Sequence, residues 1–509
     1  MGFVYQSAQA LLARNAARAP DRPFLIDVDD GTVVSCAAAA DAADRIATLL
    51  GGRGVGHGDR VLLLGDNAPE FALAFLGVLR HGAALATVNL EMNERYVRDI
   101  IAAVRPKVVL YQSDAGLERL RDGAAGAWMP LGRWGKADDG TLFGQLPSAL
   151  PSVAPPCGGP DDIGLIFYTS GTEERPKGVV ATHATALCNG EAIADALGMG
   201  ADDRILEYRS LGWYSGMNLG ILAPLVAGAT SVLAHKFSQS QFFTWIRDHR
   251  ITIAVGVPAV LNMLLSRPLP VGRADMPALR FVTSSSAPLL VEQWQKFESL
   301  YGIPIAQCAG MSEGGWIGGS NERTRRVGTV GRPVLHQDLR IVDADGNPVP
   351  AGETGEIEVG GPLLYHGYLQ DDGTVARFAG DRMRTGDLGV LDPDGCLRIT
   401  GRVKELIIRG GVNISPAEID NVLIAFPGVA EAATIGVPDP IYGEAVVSWV
   451  SPAAGCALDL DALRRHCVER LPAFRVPAEL HAIAAIPKSG RGKIDRNALR
   501  AHWREKVTG

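Results

Sequence analysis

Residues 168–178 form the segment whose side chains are best suited to binding a phosphate chain. The segment reads Tyr-Thr-Ser-Gly-Thr-Glu-Glu-Arg-Pro-Lys-Gly and follows an apolar run that predicts a strand. Small hydroxyl residues around a glycine expose backbone N–H groups, and Lys177 adds a cation, so both can hold polyphosphate. The order of glycine and lysine differs from that of the Walker loop. A polar turn that carries a solvated lysine is the purely structural alternative.

Five further segments place charged side chains beside glycine or serine. They supply carboxylates at Glu313 and Asp387, a guanidinium at Arg402, and lysines at Lys404 and Lys493. The segments are residues 310–313 (Gly-Met-Ser-Glu), 384–387 (Arg-Thr-Gly-Asp), 401–405 (Gly-Arg-Val-Lys-Glu), 410–418 (Gly-Gly-Val-Asn-Ile-Ser-Pro-Ala-Glu) and 487–496 (Pro-Lys-Ser-Gly-Arg-Gly-Lys-Ile-Asp-Arg).

Together the six segments resemble the adenylate-forming (AMP-binding) enzyme superfamily, and their pattern is closest to its acyl- and aryl-CoA ligases. They occur in the family's order over essentially the whole chain. The resemblance implies a ligase with two half-reactions. A carboxylate attacks the α-phosphorus of ATP, giving an acyl-adenylate and pyrophosphate, and a thiol then displaces AMP. ATP, Mg²⁺ and CoA are therefore expected, with a small-molecule carboxylic acid as the substrate.

The resemblance also implies roles for individual residues. Lys493 would bridge the acid's carboxylate and the α-phosphate, Glu313 would bind Mg²⁺, and Lys177 and Ser312 would contact phosphates. Asp387 would accept hydrogen bonds from the ribose hydroxyls. The residues expected at the nucleotide are Thr169, Ser170, Gly171, Thr172, Lys177, Ser286, Ala287, Pro288, Ala309, Gly310, Met311, Ser312, Asp387 and Arg402.

The acid pocket and the thiol path are likewise implied by resemblance. Aromatic residues mixed with glycines favour an aryl or otherwise mostly apolar acid. No acidic residue occurs in residues 210–218, which argues against an amino acid as the substrate. Lys404 would be the hinge of a mobile C-terminal domain, and Gly410 and Gly411 would line the thiol path. The residues expected at the acid are Trp213, Tyr214, Met217, Ser284, Ser285, Gly310, Gly314, Gly315 and Trp316.

Three departures from the family pattern keep other functions open, and one is the lack of a Phe-His pair in residues 211–218 of the expected acid pocket. Glu174 stands where the loop usually has glycine or serine, and Ala309 stands where an aromatic residue usually stacks on adenine. One alternative is adenylation with an acceptor other than CoA, either a carrier-protein thiol or an amine. A related alternative is activation of an unusual acid, such as nitrite, to modify an aryl amine. The third is a catalytically weak, nucleotide-binding relic.

Composition excludes several other classes. The chain has 509 residues, a formal net charge of −7, and seven cysteines without a CxxC pair. These values disfavour a nucleic-acid binder, a disordered chain and a disulfide scaffold. The histidines form no zinc-binding pair, and the N-terminus shows no secretory signal. The longest apolar run, residues 71–79, is too short for a membrane span. A cytoplasmic protein is expected, with no membrane partner and with oligomerisation possible.

The elements that must position these residues follow an α/β pattern. Strands predicted at residues 60–64, 108–111, 163–168 and 251–257 alternate with helices, which favours βαβ units and largely parallel sheets up to about residue 326. Short strands and Asp-Gly turns predict a barrel-like part at about 327–401, which completes an N-terminal domain of residues 1–401. An α+β C-terminal domain is expected at 402–509. Residues 121–160, rich in Gly, Ala and Pro, suggest a loose surface excursion.

Overall fold

The protein folds around two large β-sheets, with smaller sheets toward the C-terminus. The computed structural model describes residues 2–136, 138, 140–169, 176–453, 455–488 and 494–508. No helix within these ranges is long and apolar enough to cross a bilayer.

The strands fall into an N-terminal group and a C-terminal group. The first group is β1 (Pro23–Asp27), β2 (Val33–Ser35), β3 (Arg60–Leu64), β4 (Ala84–Val88), β5 (Val108–Tyr111), β6 (Ala127–Pro130), β7 (Ile163–Thr169), β8 (Lys177–Thr182), β9 (Arg204–Glu207), β10 (Thr230–Leu233), β11 (Ile253–Ala254), β12 (Phe281–Ser284) and β13 (Ile305–Gln307). The second is β14 (Ala309–Met311), β15 (Gly315–Gly318), β16 (Asp338–Val342), β17 (Gly355–Gly360), β18 (Gly367–Leu369), β19 (Val375–Arg377), β20 (Arg382–Leu391), β21 (Leu397–Arg402), β22 (Ile407–Arg409), β23 (Val412–Ile414), β24 (Val429–Asp439), β25 (Gly443–Pro452) and β26 (Glu479–Ala482).

The α-helices are spread along the whole chain. They are α1 (Ala8–Arg18), α2 (Cys36–Gly52), α3 (Pro69–His81), α4 (Glu94–Val104), α5 (Leu142–Gln145), α6 (His183–Ala196), α7 (Tyr214–Met217), α8 (Ala223–Ala227), α9 (Phe242–Asp248), α10 (Pro258–Ser266), α11 (Val291–Tyr301), α12 (Pro416–Ile424), α13 (Leu460–Arg470) and α14 (Arg496–Thr508). A π-helical turn, Asn218–Leu222, links α7 to α8.

The two large sheets are mostly parallel, as the alternation of strands and helices predicts. The seven-stranded sheet has the order β13-β12-β11-β9-β10-β1-β2, and the eight-stranded sheet the order β19-β18-β8-β7-β4-β3-β5-β6. Antiparallel pairing is confined to β2 in the first sheet and to β8, β18 and β19 in the second. The strand expected at 251–257 is only Ile253–Ala254, because the N–H of Gly256 bonds instead to the Thr283 hydroxyl.

One apolar core joins both sheets through helices α1, α2, α3, α6 and α8. Every residue of α3 is buried. Helix α3 crosses α2 so closely that a Cβ on Gly77 would lie 2.4 Å from Cγ2 of Ile46. A larger residue at position 77 would therefore force the two helices apart.

Residues 121–160 are tied into this core, unlike the loose excursion that their composition suggests. Strand β6 extends the eight-stranded sheet, and Leu142 and Phe143 are core residues. The buried guanidinium of Arg80 pairs with Asp44 and donates to the carbonyls of Ser152 and Ala154. Apolar anchors and one buried arginine thus fix a segment whose composition resembles that of a loop.

Residues 327–401, the part expected to be barrel-like, supply strands to two sheets. Strands β16, β17, β20 and β21 make a four-stranded antiparallel sheet, but β18 and β19 leave it and pair with β8 of the eight-stranded sheet. The part expected at about 327–401 is therefore joined by strand pairing to the N-terminal sheet that carries Lys177.

The C-terminal residues form a five-stranded sheet, β23-β22-β25-β24 with β26 against β25, packed with α12, α13 and α14. The partly buried guanidinium of Arg496 in α14 contacts three parts of the chain. It bonds to Asp420 of α12 at 2.7 Å, to the carbonyl of Thr434 at 3.1 Å, and to Glu405 beside the expected hinge at 3.2 Å. Burial raises the pKa of the Asp420 carboxyl, and Arg496 opposes that shift.

Arg496→Met should loosen the C-terminal part of the chain. Removing one partner of a buried ion pair leaves the others charged and unpaired, which costs about 3–5 kcal/mol. Amide hydrogen exchange of the full-length protein, followed over α12 and β24, should show about 100-fold less protection. Arg500→Met is the matched control, because Arg500 lies on the same helix and bonds to the exposed Asn497. Equal protection in both variants would contradict the role of Arg496.

Candidate active site

Lys177 begins β8, which runs antiparallel to β7. The pairing extends from Ile163 opposite Thr182 to Thr169 opposite Lys177. Thr169 ends β7 directly opposite Lys177. The connection between them, which contains Ser170, Gly171 and Thr172, lies outside the described residues. The two ends of the expected phosphate loop are thus neighbours in the eight-stranded sheet, and Lys177 is exposed.

The segment with Gly310, Met311, Ser312 and Glu313 is a β-hairpin formed by β14 and β15. Ala309 to Glu313 are accessible, whereas Gly314, Gly315 and Trp316 are buried. The hairpin therefore has an open arm and a buried arm. The residues expected at the nucleotide lie on the open arm and its turn.

Glu313 meets the phosphate-loop strand through Tyr368, a residue outside the six sequence motifs. The Tyr368 hydroxyl donates to Oε1 of Glu313 at 2.8 Å, and the Glu313 carbonyl accepts from the N–H of Tyr365 at 2.9 Å. Nζ of Lys177 lies 5.8 Å from the centre of the Tyr368 ring, a cation–π distance. Burial, followed by the bond to Glu313, raises the pKa of Tyr368, so its hydroxyl stays a donor.

The turn of residues 284–288 lies at the carboxyl end of β12, beside the end of β13. Ser284 and Ser285 are buried, while Ser286, Ala287 and Pro288 are more accessible. Ser286 has a φ of 70°, a left-handed conformation that few non-glycine residues adopt. Ligand crevices of open α/β sheets occur at such strand ends, and backbone strain concentrates at functional sites.

The expected acid-pocket aromatics divide into core residues and a partly exposed one. Tyr214 stacks on Phe167 with ring centres 5.3 Å apart, and its hydroxyl donates to Oδ1 of Asn189. The same oxygen accepts from the backbone N–H of Trp316. Tyr214, Met217 and Trp316 are core residues, and Trp213 is partly exposed.

The hairpin glycines are explained by protein packing. A Cβ on Gly314 would lie 2.9 Å from Cγ2 of Val359, and one on Gly315 would lie 2.6 Å from Oδ1 of Asn189. The absence of side chains at Gly314 and Gly315 thus lets the hairpin pack against strand β17 and helix α6. At the more exposed Gly310, the nearest atoms to such a Cβ belong to Gly315 and Trp316.

A buried ion pair, Glu207–Arg209, lies at the carboxyl end of β9. The Arg209 guanidinium contacts Glu207, the Ser285 hydroxyl and the Ser215 carbonyl. Burial would lower its pKa, but the Glu207 carboxylate holds the pKa of Arg209 above its ordinary value. None of the six motifs includes this pair, and it lies just before residues 210–218, the segment without acidic residues. The sequence signal that could have indicated this pair is the occurrence of Glu207 and Arg209 at the carboxyl end of an apolar strand.

Asp387 and Arg402 are directly opposite each other on β20 and β21. Nε of Arg402 lies 2.9 Å from Oδ1 of Asp387, and both side chains are partly exposed. Ile317 of the hairpin and Val359 of β17 share one apolar cluster. The sheet that carries this ion pair is therefore packed against the hairpin that carries Glu313.

The remaining expected residues lie in the C-terminal part of the chain. Lys404 is exposed in a single 3₁₀ turn, Val403–Glu405, between β21 and β22. Gly410 and Gly411 form the exposed turn between β22 and β23, both with positive φ. Lys493, Gly490 and Gly492 lie outside the described residues. Lys488 and Ile494, which flank that loop, form an antiparallel bridge.

Comparisons with known proteins cover the whole chain. The AMP-binding enzyme family matches residues 12–369, and the AMP-binding enzyme C-terminal domain matches residues 418–493. Sulfoacetate–CoA ligase of Cupriavidus necator is 35% identical over 506 residues, which cover 98% of each chain. Indoleacetate–CoA ligase of Aromatoleum aromaticum is 34% identical over 478 residues, covering 92% of each chain.

A solved structure shows the same architecture. The crystal structure of ATP-bound MatB from Rhodopseudomonas palustris superposes with a TM-score of 0.86 at 27% identity, covering 98% of this chain and 99% of MatB. Family matches, relatives and fold agree with the six sequence segments: the chain belongs to the AMP-binding enzyme family, with a large N-terminal domain and a small C-terminal domain.

Proposed function

We propose that this protein is an AMP-forming acid–CoA ligase, which activates a carboxylic acid with ATP and transfers the acyl group to CoA. The observation that carries the proposal is the joining of Lys177, Tyr368 and Glu313 at the open arm of the hairpin. The two relatives described above are both CoA ligases by name and align over nearly their full lengths. ATP and CoA are the substrates that this family membership implies.

The charges around the hairpin suit the first half-reaction. A carboxylate must attack a polyphosphate, so negative charge has to be neutralised where the two meet. Lys177 and the loop residues Thr169, Ser170, Gly171 and Thr172 would bind the β- and γ-phosphates. Ser312, at the hairpin turn, would contact the α-phosphate. Ser286, Ala287, Pro288, Ala309, Gly310 and Met311 would line the rest of the nucleotide site.

Glu313 is a suitable ligand for Mg²⁺, which prefers oxygen donors and few protein ligands. Its carboxylate is partly accessible, and Tyr368 fixes it by donating to one oxygen. Bound there, Mg²⁺ would neutralise phosphate charge. At the other side of the site, Arg402 orients the Asp387 carboxylate, which would accept hydrogen bonds from the ribose hydroxyls.

The domain boundary and its motion are part of the proposal. Residues 1–401 would form the N-terminal domain, and residues 402–509 would rotate about Lys404 between the half-reactions. Rotation would exchange the Lys493 loop for the turn at Gly410 and Gly411, where the thiol would pass. The names of the two relatives give one strongly polar acid and one mostly apolar acid. Membership of the family therefore does not identify the acid that this protein uses.

Pyrophosphate release separates the proposed ligase from its alternatives. We expect acid-dependent release of pyrophosphate without CoA, and a thioester once CoA is added. An adenylate that is consumed only by a carrier-protein thiol or an amine would contradict the choice of CoA. No release across a panel of carboxylic acids would contradict adenylation and favour the relic.

Lys493→Ala should reduce adenylation by about 100-fold or more, because a positioned cation on the α-phosphate acts mainly in that transition state. Thioester formation from supplied acyl-adenylate and CoA should remain close to wild type. Single-turnover measurements of each half-reaction test this. Lys488→Ala is a control outside the proposed site, since Lys488 pairs with Glu431. Equal losses in both half-reactions would contradict the assigned role of Lys493.

Tyr368→Phe should weaken the use of Mg²⁺ through the loss of one hydrogen bond to a charged group. Such a bond is worth about 1.5–3 kcal/mol, so the Mg²⁺ concentration at half-maximal pyrophosphate release should rise about 10-fold or more. Direct Mg²⁺ titration by calorimetry with a non-hydrolysable ATP analogue should show the same shift. Tyr5→Phe is the control, because it removes a tyrosine hydroxyl at a position distant in sequence from Glu313. An unchanged Mg²⁺ dependence in Tyr368→Phe would refute the positioning role.

A further inference from the structure

The Glu207–Arg209 pair lies where three segments of the expected acid pocket meet. Glu207 is the last residue of β9 and is 0% exposed, and the Arg209 side chain is 13% exposed. Arg209 reaches Ser285 at the end of β12 and Ser215 in α7. Its charge also acts on Cys308, which directly precedes the hairpin. A charged group thus occupies the junction of segments expected to bind a mostly apolar acid.

The carboxylate of this pair is fully engaged. Oε1 of Glu207 accepts from Nε of Arg209 at 2.9 Å and from the backbone N–H groups of Tyr208 and Arg209 at 3.0 and 2.8 Å. Oε2 accepts from Nη2 of Arg209 at 2.6 Å. Two backbone N–H groups stabilise part of the negative charge of Glu207. The Glu207 carboxylate therefore does not fully neutralise the Arg209 guanidinium.

The guanidinium has donor capacity left on the side of Ser285. Nη1 carries two N–H groups, and its hydrogen bond within the described residues is a long one, 3.5 Å to the Ser285 hydroxyl. The backbone that carries Arg209 is itself fixed, since the side chain of Asn67 bonds to the carbonyl of Arg209 and the N–H of Leu211. The donor therefore has a fixed position.

A purely apolar acid would fit this position poorly. It would cover an under-bonded cationic donor without supplying an acceptor, and such desolvation is costly. An oxyanion at the far end of the acid would instead accept from Nη1 and from the Ser285 hydroxyl. Charge-assisted bonds of this kind are among the strongest that a pocket can offer.

We propose that Arg209 and Ser285 bind a second anionic group on the substrate, so that the acid is a short carboxylic acid carrying a distal carboxylate or sulfonate. The inference rests on the proposed function, because it names the acid of that same site. It replaces the expectation of an aryl or mostly apolar acid. Arg209 becomes a specificity-determining residue, and Glu207 its positioning partner.

Matched acids test the substrate class. Malonate and sulfoacetate are compared with propionate and phenylacetate for pyrophosphate release by the wild-type protein. The doubly anionic acids should have a kcat/KM at least about 10-fold higher, which is the effect of one charge-assisted hydrogen bond. Propionate or phenylacetate used as well as malonate and sulfoacetate would overturn the inference, while pyrophosphate release itself would leave the proposed ligase standing.

A paired substitution tests Arg209 without leaving a buried carboxylate alone. Glu207→Met/Arg209→Met replaces the ion pair with apolar side chains of similar size, which buried sites commonly tolerate. The ratio of its kcat/KM for malonate or sulfoacetate to its kcat/KM for propionate should fall about 10- to 100-fold relative to wild type. Arg280→Met is the matched control, because Arg280 bridges Asp203 and Glu322 in a partly buried cluster of the same sheet. It should not change selectivity, and retained selectivity in the double variant would refute the role of Arg209.

Binding provides a readout that does not require turnover. Malonate and sulfoacetate should raise the melting temperature of the wild-type protein more than propionate does, and the double variant should lose that difference. If no acid releases pyrophosphate, the proposed function fails, and the melting shifts still decide whether this pocket selects a second anion. Equal shifts for all acids in the wild type would overturn the inference.

Discussion

The hydrogen bond between Tyr368 and Glu313 joins parts of the molecule that belong to different sheets. Tyr368 lies on β18, beside the strand that begins with Lys177, whereas Glu313 lies in a hairpin that continues from β13 of the seven-stranded sheet. The hairpin also packs on the four-stranded sheet through Ile317. Because the bond ties the eight-stranded sheet to a hairpin that also packs on the four-stranded sheet, the carboxylate is held at a fixed place relative to the lysine. Displacement of any one sheet would change the spacing of charges on which phosphate chemistry depends.

The seven-stranded sheet contributes the acid side of the site through its strand ends. Strands β9, β11, β12 and β13 pair in parallel in that order. The carboxyl ends of β9, β12 and β13 therefore lie at the same edge of the sheet. Glu207 ends β9, and Ser285 and Cys308 directly follow β12 and β13, which explains how Glu207 and Ser285 both contact one guanidinium. The eight-stranded sheet contributes the phosphate side. The site thus lies between two α/β units whose helices share one core.

Local patterns in the sequence were sufficient for the motifs and for most elements. The strands at residues 60–64 and 108–111 have the predicted bounds, because short hydrophobic runs mark them locally. The destination of β18 could not be read in the same way, since only its long-range pairing with β8 takes it out of the four-stranded sheet. Residues 121–160 show the reverse case, because Arg80, far along the chain, anchors a segment whose composition resembles that of a loop.

The same limit applies to the site. Lys177, Glu313, Asp387 and Arg402 could be named because their motifs resemble those of the family, and the structure brings Asp387 and Arg402 into an ion pair. Tyr368 could not, since its significance depends on a contact 55 residues away. Arg209 could have been noticed as a charged residue just after a strand. Its contacts with Ser215 and Ser285 could not, because only the fold brings these residues together.

The buried Glu207–Arg209 pair has a cost that substrate recognition can explain. Buried ion pairs are often no more stable than apolar residues of similar volume, so stability alone gives little reason for one at this position. Selectivity gives a better reason. An apolar pocket distinguishes acids that differ by one methylene by only about 10- to 200-fold. A pocket with a buried hydrogen-bond donor can reject an acid that lacks the matching acceptor by about 10⁴–10⁵-fold. A fixed guanidinium with unused donor capacity can therefore select an acid that the aromatic residues around it could not distinguish.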